Sequence, residues 1–151
     1  MNVRRLDMPL TPGHLPIDFQ IQAMEFIKSN NLVQNPKYFV ISDNMEAAKS
    51  ELENYNADIT YISGTANLGL NGLNLLSKCA NNIQTVSTYS WWGTFLNQQG
   101  GFTIAPCDYI DLHKHNGPVY KIQYSINNEK HCDYSYKMLY KKNGKNTENI
   151  Y

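Results

Sequence analysis

The sequence has no net charge and no long apolar run, two features that mark several classes of protein. Thirteen Lys and Arg residues balance thirteen Asp and Glu residues. A neutral chain produces no global field that attracts nucleic acid or an acidic membrane, so any bound anion must be held by a local site. No apolar run is long enough to cross a bilayer. We therefore expect no nucleic-acid partner and no membrane span.

Cysteine is also scarce, and Cys79, Cys107 and Cys132 are the three residues of this type. The odd number and the absence of a Cys-x-x-Cys pair argue against a disulfide framework and against a zinc knuckle. No apolar signal-peptide core follows the first residues. These features favour a cytoplasmic protein, or a domain of a longer protein whose targeting segment lies elsewhere.

Several catalytic motifs are missing as well. The sequence contains neither Gly-x-Gly-x-x-Gly nor a Walker lysine motif, which disfavours dinucleotide oxidoreductases and P-loop NTPases. It has no Gly-x-Ser-x-Gly elbow for a Ser-His-Asp hydrolase. A metal hypothesis arises from His113, His115, His131 and Cys132, but no carboxylate motif frames them. A polar surface loop is the better interpretation, and we expect no bound metal.

The segments that are present alternate between strand and helix patterns. A continuous apolar run predicts a buried strand at residues 38–42, and shorter segments predict strands near residues 1–3, 59–62, 83–86 and 102–105. Helical spacing predicts helices after Pro16, after Asp43 or Asn44, around Leu73 to Ala80, and from about Ser90. This alternation predicts an α/β fold with an open parallel sheet and helices on both faces. We expect one domain over residues 1–140 and a mobile tail over residues 141–151.

Candidate anion-binding residues follow two of the predicted strands. Ligands of open parallel sheets bind outside the carboxyl ends of the strands. Arg4 and Arg5 follow the first strand, and their fork-shaped donors suit a diphosphate. Ser87, Thr88 and Ser90 lie where a later strand meets a helix, so hydroxyls and helix amides can converge on one anion. Each group also has a simpler interpretation, a solvated basic turn and helix N-capping respectively.

Asp43 is a third candidate, because it follows the strand at residues 38–42. Its carboxylate can accept hydrogen bonds from a base or a sugar, or it can cap the next helix. The adjacent Trp91 and Trp92 favour core packing that would hold the hydroxyl group at residues 87–90 rigid.

The order of these segments resembles one family, the alpha-1,2-fucosyltransferases of glycosyltransferase family 11. Residues 3–7, Val-Arg-Arg-Leu-Asp, are similar to its His-x-Arg-Arg-Gly-Asp motif, and residues 38–44 to its Phe-x-x-Phe-Ser-Asp-Asp turn. Residues 75–79 resemble its Met-Ser-x-Cys segment. Residues 87–93, Ser-Thr-Tyr-Ser-Trp-Trp-Gly, resemble its Ser-Thr-Phe-Ser-Trp-Trp-Gly block, which is the most specific of the four. The likeness extends from residue 1 to about Pro106.

The resemblance implies a Rossmann-like domain equivalent to the C-terminal, GDP-fucose-binding half of a GT-B glycosyltransferase. Arg4 and Arg5 would hold the pyrophosphate, with Ser87, Thr88 and Ser90 on its other side. Arg5 and Asp7 would act in catalysis, and Asp43 would contact the donor.

GDP-fucose and a glycan acceptor would be the ligands of such an enzyme, with no further cofactor. Its acceptor cleft would need an N-terminal segment, a partner chain or a homo-oligomer. A GDP-sugar-binding module without turnover is the alternative.

The sequence departs from the family motifs at four positions. Asn2 replaces the motif histidine, Leu6 replaces a glycine, and Asn44 replaces the second aspartate of the turn. Gly72 stands where the family has an aspartate before Met-Ser-x-Cys, which the resemblance makes a guanine contact.

Overall fold

The computed structural model describes residues 1–5, 15–62, 69–106, 119–126, 129–142 and 145–150, and from residue 121 onward it describes the backbone alone. The helices in these ranges are α1 (Ile17–Ser29), α2 (Met45–Leu52), α3 (Gly69–Lys78) and α4 (Thr88–Phe95). The strands are β1 (Asn2–Val3), β2 (Lys37–Ser42), β3 (Asp58–Tyr61), β4 (Asn82–Ile83), β5 (Thr103–Pro106), β6 (Val119–Ile126), β7 (Glu129–Lys142) and β8 (Lys145–Ile150). Strands and helices alternate as far as β5, which confirms the predicted α/β class.

The hydrogen bonds divide the described strands into two sheets. One sheet has the order β1-β2-β3 and is parallel throughout. The other has the order β4-β5-β6-β7-β8, in which β4, β5 and β6 are parallel and β7 and β8 are antiparallel. The sequence predicts one sheet, but β1 and β4 have two residues each and therefore offer few backbone groups for further pairing.

The two sheets nevertheless share one hydrophobic core. Val3 from β1, Ile83 from β4 and Ile104 from β5 belong to the same cluster of buried side chains. Phe19 and Met24 of α1 are fully buried in it. The common core makes the described α/β segments a Rossmann-like unit even though no continuous ladder joins the sheets.

Helix α1 forms where the sequence predicts it. Pro16 occupies the N-cap position, and Asp18 and Lys28 lie in the first and last turns, where their charges complement the helix dipole. Ile17 and Ile21 are only partly buried, whereas Phe19 and its neighbours carry the core contact. The buried side chains of the helix are Phe19, Gln20, Ala23, Met24 and Ile27.

The region after β5 contains more strand than the sequence indicates. Strand β6 continues the parallel part of its sheet, and Phe26 of α1 packs against Tyr120 at its start with ring centroids 5.1 Å apart. Strand β7 runs across residue 140, the predicted boundary between domain and tail. That division of the chain remains a prediction. No helix in the described ranges is long and apolar enough to cross a membrane.

Candidate functional site

Arg5 is held from several sides directly after β1. Its side chain is only 6% exposed, and its Nε donates to Glu51 Oε2 of α2 at 2.6 Å. Its Nη1 donates to the carbonyl oxygens of Arg4 and Leu15 at 2.8 and 3.2 Å. Its Nη2 is buried and has no hydrogen-bond partner among the described residues. The guanidinium is therefore fixed in place, and one of its donor groups has no acceptor in the described part of the chain.

Asp43 lies beside Arg5 at the neighbouring strand end. The Arg5 backbone nitrogen donates to Asp43 Oδ1 at 2.6 Å, so this carboxylate ties the end of β1 to the end of β2. Asn44, rather than Asp43, caps α2, because its side chain accepts from the Ala47 nitrogen at 3.1 Å. Asn44 therefore stands at the position of the second aspartate in the family motif, and it is a good N-cap residue there.

The hydroxyl cluster begins α4. Ser87 is the N-cap, and its Oγ accepts from the Ser90 nitrogen at 3.5 Å. Ser90 Oγ in turn accepts from the Thr85 nitrogen at 3.2 Å, and the Thr94 hydroxyl donates to the Ser90 carbonyl at 2.8 Å. Ser87 and Ser90 are both buried. Their hydroxyls therefore hold the strand-to-helix turn together, which is the simpler of the two interpretations.

Thr88 and Tyr89 complete the first turn of α4, and they differ in exposure. Thr88 is exposed, so its hydroxyl and the first-turn amides can meet a ligand. The Tyr89 hydroxyl donates to the Gly69 carbonyl of α3 at 3.0 Å. Burial raises the pKa of the Tyr89 phenol, which moves its ionisation further above neutral pH. Thr88 is therefore the most accessible of the predicted hydroxyl contacts.

Alanine substitutions of Ser87 and Thr88 are expected to differ in their effect on the free energy of unfolding, because only Ser87 caps α4. Ser87→Ala removes the N-cap of α4 and should lower the free energy of unfolding by about 0.5–1 kcal/mol. Thr88→Ala removes an exposed side chain and should change it by less than about 0.5 kcal/mol. Urea denaturation of both variants checks this pair. Equal losses of stability would show that Ser87 does not act as a cap.

The structure thus brings Arg5 to Asp43 and Ser87 to Ser90. Whether the two pairs face one pocket remains a prediction, supported by the shared core of β1 and β4 and by the place of both pairs after strand ends. Arg4, which is half-buried, stays a predicted donor contact.

Other predicted residues fall outside what the structure describes. Asp7, His113 and His115 lie outside the described residues, as do the side chains of His131 and Cys132. In the described part of the chain, no group of three or more His, Cys, Asp or Glu side chains could hold a metal ion.

A cavity of about 230 Å³ lies at the amino ends of the strands, opposite the strand ends that carry Arg5 and the hydroxyl cluster. Lys37, Asn82 and Met1, at the amino ends of β2, β4 and β1, line it together with apolar side chains such as Phe102. Arg5 and the hydroxyl cluster follow the carboxyl ends of these strands. The cavity is therefore separate from the candidate anion site.

Two residues of the site have no signal in the sequence pattern. Glu51 lies 46 positions from Arg5, and a solvent-facing glutamate in an amphipathic helix gives no indication of such a partner. Gln84 directly follows β4 and is fully buried, yet its side-chain amide has no partner among the described residues. Only the folded chain brings Glu51 to Arg5 at the end of β1 and buries the Gln84 amide after β4.

Fold and site together define a Rossmann-like α/β domain with a fixed arginine and a capped helix start at strand ends. The family model for glycosyl transferase family 11 matches residues 16–127, which is more than half of the chain. The chain belongs to this family, and the predicted membership is thereby confirmed. The matched range begins after residues 3–7, so the likeness of that segment to the arginine motif of the family stays a prediction.

Two curated relatives from Escherichia coli are similar to the chain. One is the O-antigen biosynthesis glycosyltransferase WbnK, 31% identical over 104 residues, which cover 64% of this chain and 33% of that protein. The other is an alpha-1,2-colitosyltransferase, 32% identical over 104 residues, covering 65% and 34%. The chain spans about a third of the length of these relatives. No solved structure matches it significantly.

Proposed function

We propose that the chain is the donor-binding part of a glycosyltransferase that moves fucose from GDP-fucose to a galactose-type hydroxyl in an alpha-1,2 linkage. The observation that carries the proposal is the buried Arg5, whose Nη2 lacks an acceptor among the described residues of this family 11 chain. Family membership supports glycosyl transfer. The name of one relative, an alpha-1,2-colitosyltransferase, supports the proposed linkage.

The proposed role of the site is to stabilise the leaving GDP. Departure of the sugar places negative charge on the β-phosphate, and preorganised donors stabilise such charge. Arg5 Nη2 would supply a charge-assisted hydrogen bond, and the exposed Thr88 with the first-turn amides of α4 would supply neutral ones. These groups can neutralise the charge without a metal, and we propose a metal-independent reaction.

The proposed reaction inverts the sugar carbon in one displacement. The acceptor hydroxyl oxygen attacks C1 of fucose, the bond from C1 to the β-phosphate oxygen breaks, and GDP leaves with the electron pair. The hydroxyl proton passes to a general base. Asp7 is the candidate for that base, or for orienting the arginines, and it lies outside the described residues.

A preceding segment, a partner chain or a second copy would complete the acceptor cleft. We propose a cytoplasmic location on the basis of the cysteine content.

A second candidate function, GDP-sugar binding without turnover, is favoured by one observation. Gly72 is buried in α3 at the position where the family motif has an aspartate. A glycine offers no side-chain acceptor to the paired N–H donors of guanine. Base recognition would then rely on other groups, and the domain could bind the donor without positioning it for transfer.

Calorimetric titration with GDP tests both candidates. We expect binding with a dissociation constant between micromolar and millimolar, and the absence of binding up to millimolar GDP would overturn both. Release of GDP from GDP-fucose in the presence of a galactoside acceptor would then support the transferase. Binding of GDP-fucose without release would support the binding module.

A further inference from the structure

The donors of the Arg5 guanidinium can be counted. A guanidinium carries five N–H groups, one on Nε and two on each Nη. Nε is used by Glu51, and Nη1 by the carbonyl oxygens of Arg4 and Leu15. The two N–H groups of Nη2 have no acceptor among the described residues. Counted over the described residues, the donor capacity without an acceptor therefore lies on a single nitrogen, Nη2.

Glu51 is the only charged group among the acceptors that the Arg5 side chain contacts in the described residues. A buried guanidinium is costly unless a negative group compensates it, and the Arg5 side chain is 6% exposed. Glu51 sits on α2 with its side chain 36% exposed, so its carboxylate stays partly solvated while it compensates the buried guanidinium. Without Glu51, the two carbonyl bonds of Nη1 would have to hold the planar group alone.

We propose that Glu51 is a positioning residue, which holds Arg5 through Nε so that Nη2 is presented to the β-phosphate of the donor. The inference rests on the proposed function, since it assumes that a GDP-type diphosphate binds at this site. Positioning lowers the cost of binding because the arginine does not have to be ordered when the ligand arrives. Because the Glu51 carboxylate already accepts from Nε, an anion cannot bind the edge of the guanidinium that includes Nε. Contact through Nη2 remains.

Three variants of the full chain test this role by calorimetry with GDP. Glu51→Ala removes the acceptor for Nε and is expected to weaken GDP binding about 3- to 10-fold. Glu51→Gln keeps an oxygen acceptor and should stay within about twofold of the unchanged chain. Glu53→Ala removes an exposed negative charge just after α2 and is the matched control, with no expected change.

A double-mutant cycle distinguishes positioning from a general loss of structure. In an Arg5→Ala background, Glu51→Ala should have no further effect on GDP binding, because the side chain that it positions is absent. An unchanged dissociation constant in Glu51→Ala alone would overturn the inference, and so would equal losses with and without Arg5. If the unchanged chain binds no GDP, the proposed function fails first. If Arg5→Ala weakens binding and Glu51→Ala does not, only the role of Glu51 fails.

Discussion

Replacing Arg5 with alanine is expected to weaken GDP binding roughly 10- to 150-fold, which corresponds to the 1.5–3 kcal/mol of a hydrogen bond to a charged group. The effect is large because Glu51 and two carbonyl oxygens already hold this guanidinium, whose Nη2 has no acceptor among the described residues, so the arginine side chain itself needs little ordering on binding. Calorimetric titration of GDP into the variant measures the change.

Arg5→Lys and Lys37→Ala complete this experiment. Lysine carries a compact ammonium group without the planar fork of a guanidinium, so it cannot reach Glu51, the Leu15 carbonyl and a phosphate at the same time. We therefore expect Arg5→Lys to lose less GDP affinity than Arg5→Ala but more than the control. Lys37 forms an exposed 3.8 Å ion pair with Asp58 at the amino end of β2, and its removal should leave binding unchanged. Far-ultraviolet circular dichroism establishes that each variant is folded. A folded Arg5 variant that binds GDP like the unchanged chain would refute the assigned role.

Replacing Gly101 with alanine is expected to lower the free energy of unfolding by about 3 kcal/mol, at the upper end of the usual cost of overpacking. A Cβ at this position would overlap the backbone carbonyl oxygen of Ala80 and lie 2.5 Å from Asn81 Oδ1. Backbone atoms cannot turn away as a flexible side chain can. The clash would also strain the bond between the Phe102 nitrogen and Asn81 Oδ1, which is 3.0 Å long.

Gly100→Asn is the matched control for this clash. Gly100 has a φ of +72° and open space where a Cβ would lie, and asparagine tolerates that backbone region better than most residues do. We expect a loss of about 1 kcal/mol or less. Thermal and urea denaturation of both variants give the comparison. If Gly101→Ala were as stable as Gly100→Asn, the segments 79–82 and 97–102 would not pack as closely as the structure indicates.

The class of fold and most helices and strands could be predicted from local patterns. The apolar run at residues 38–42 and the spacing of Met45, Ala48 and Leu52 depend on neighbouring residues alone, and β2 and α2 form where they predict. The hydroxyl segment at residues 87–90 likewise predicts a strand-to-helix turn, and α4 begins at Thr88. The strands after β5 were not predicted, because the apolar periodicity fades after Pro106, although β6, β7 and β8 pair as neighbours along the chain.

The contacts of the site were decided by the tertiary structure. The sequence identifies Arg5 and Asp43 as polar residues after strands, and parallel pairing of β1 with β2 brings them together. It offers no reason to connect Arg5 with Glu51, because an ion pair across 46 positions depends on how α2 packs beside the sheet. Periodicity records which face of a helix is apolar, whereas the choice of partner for a polar group depends on distances that exist only in the folded chain.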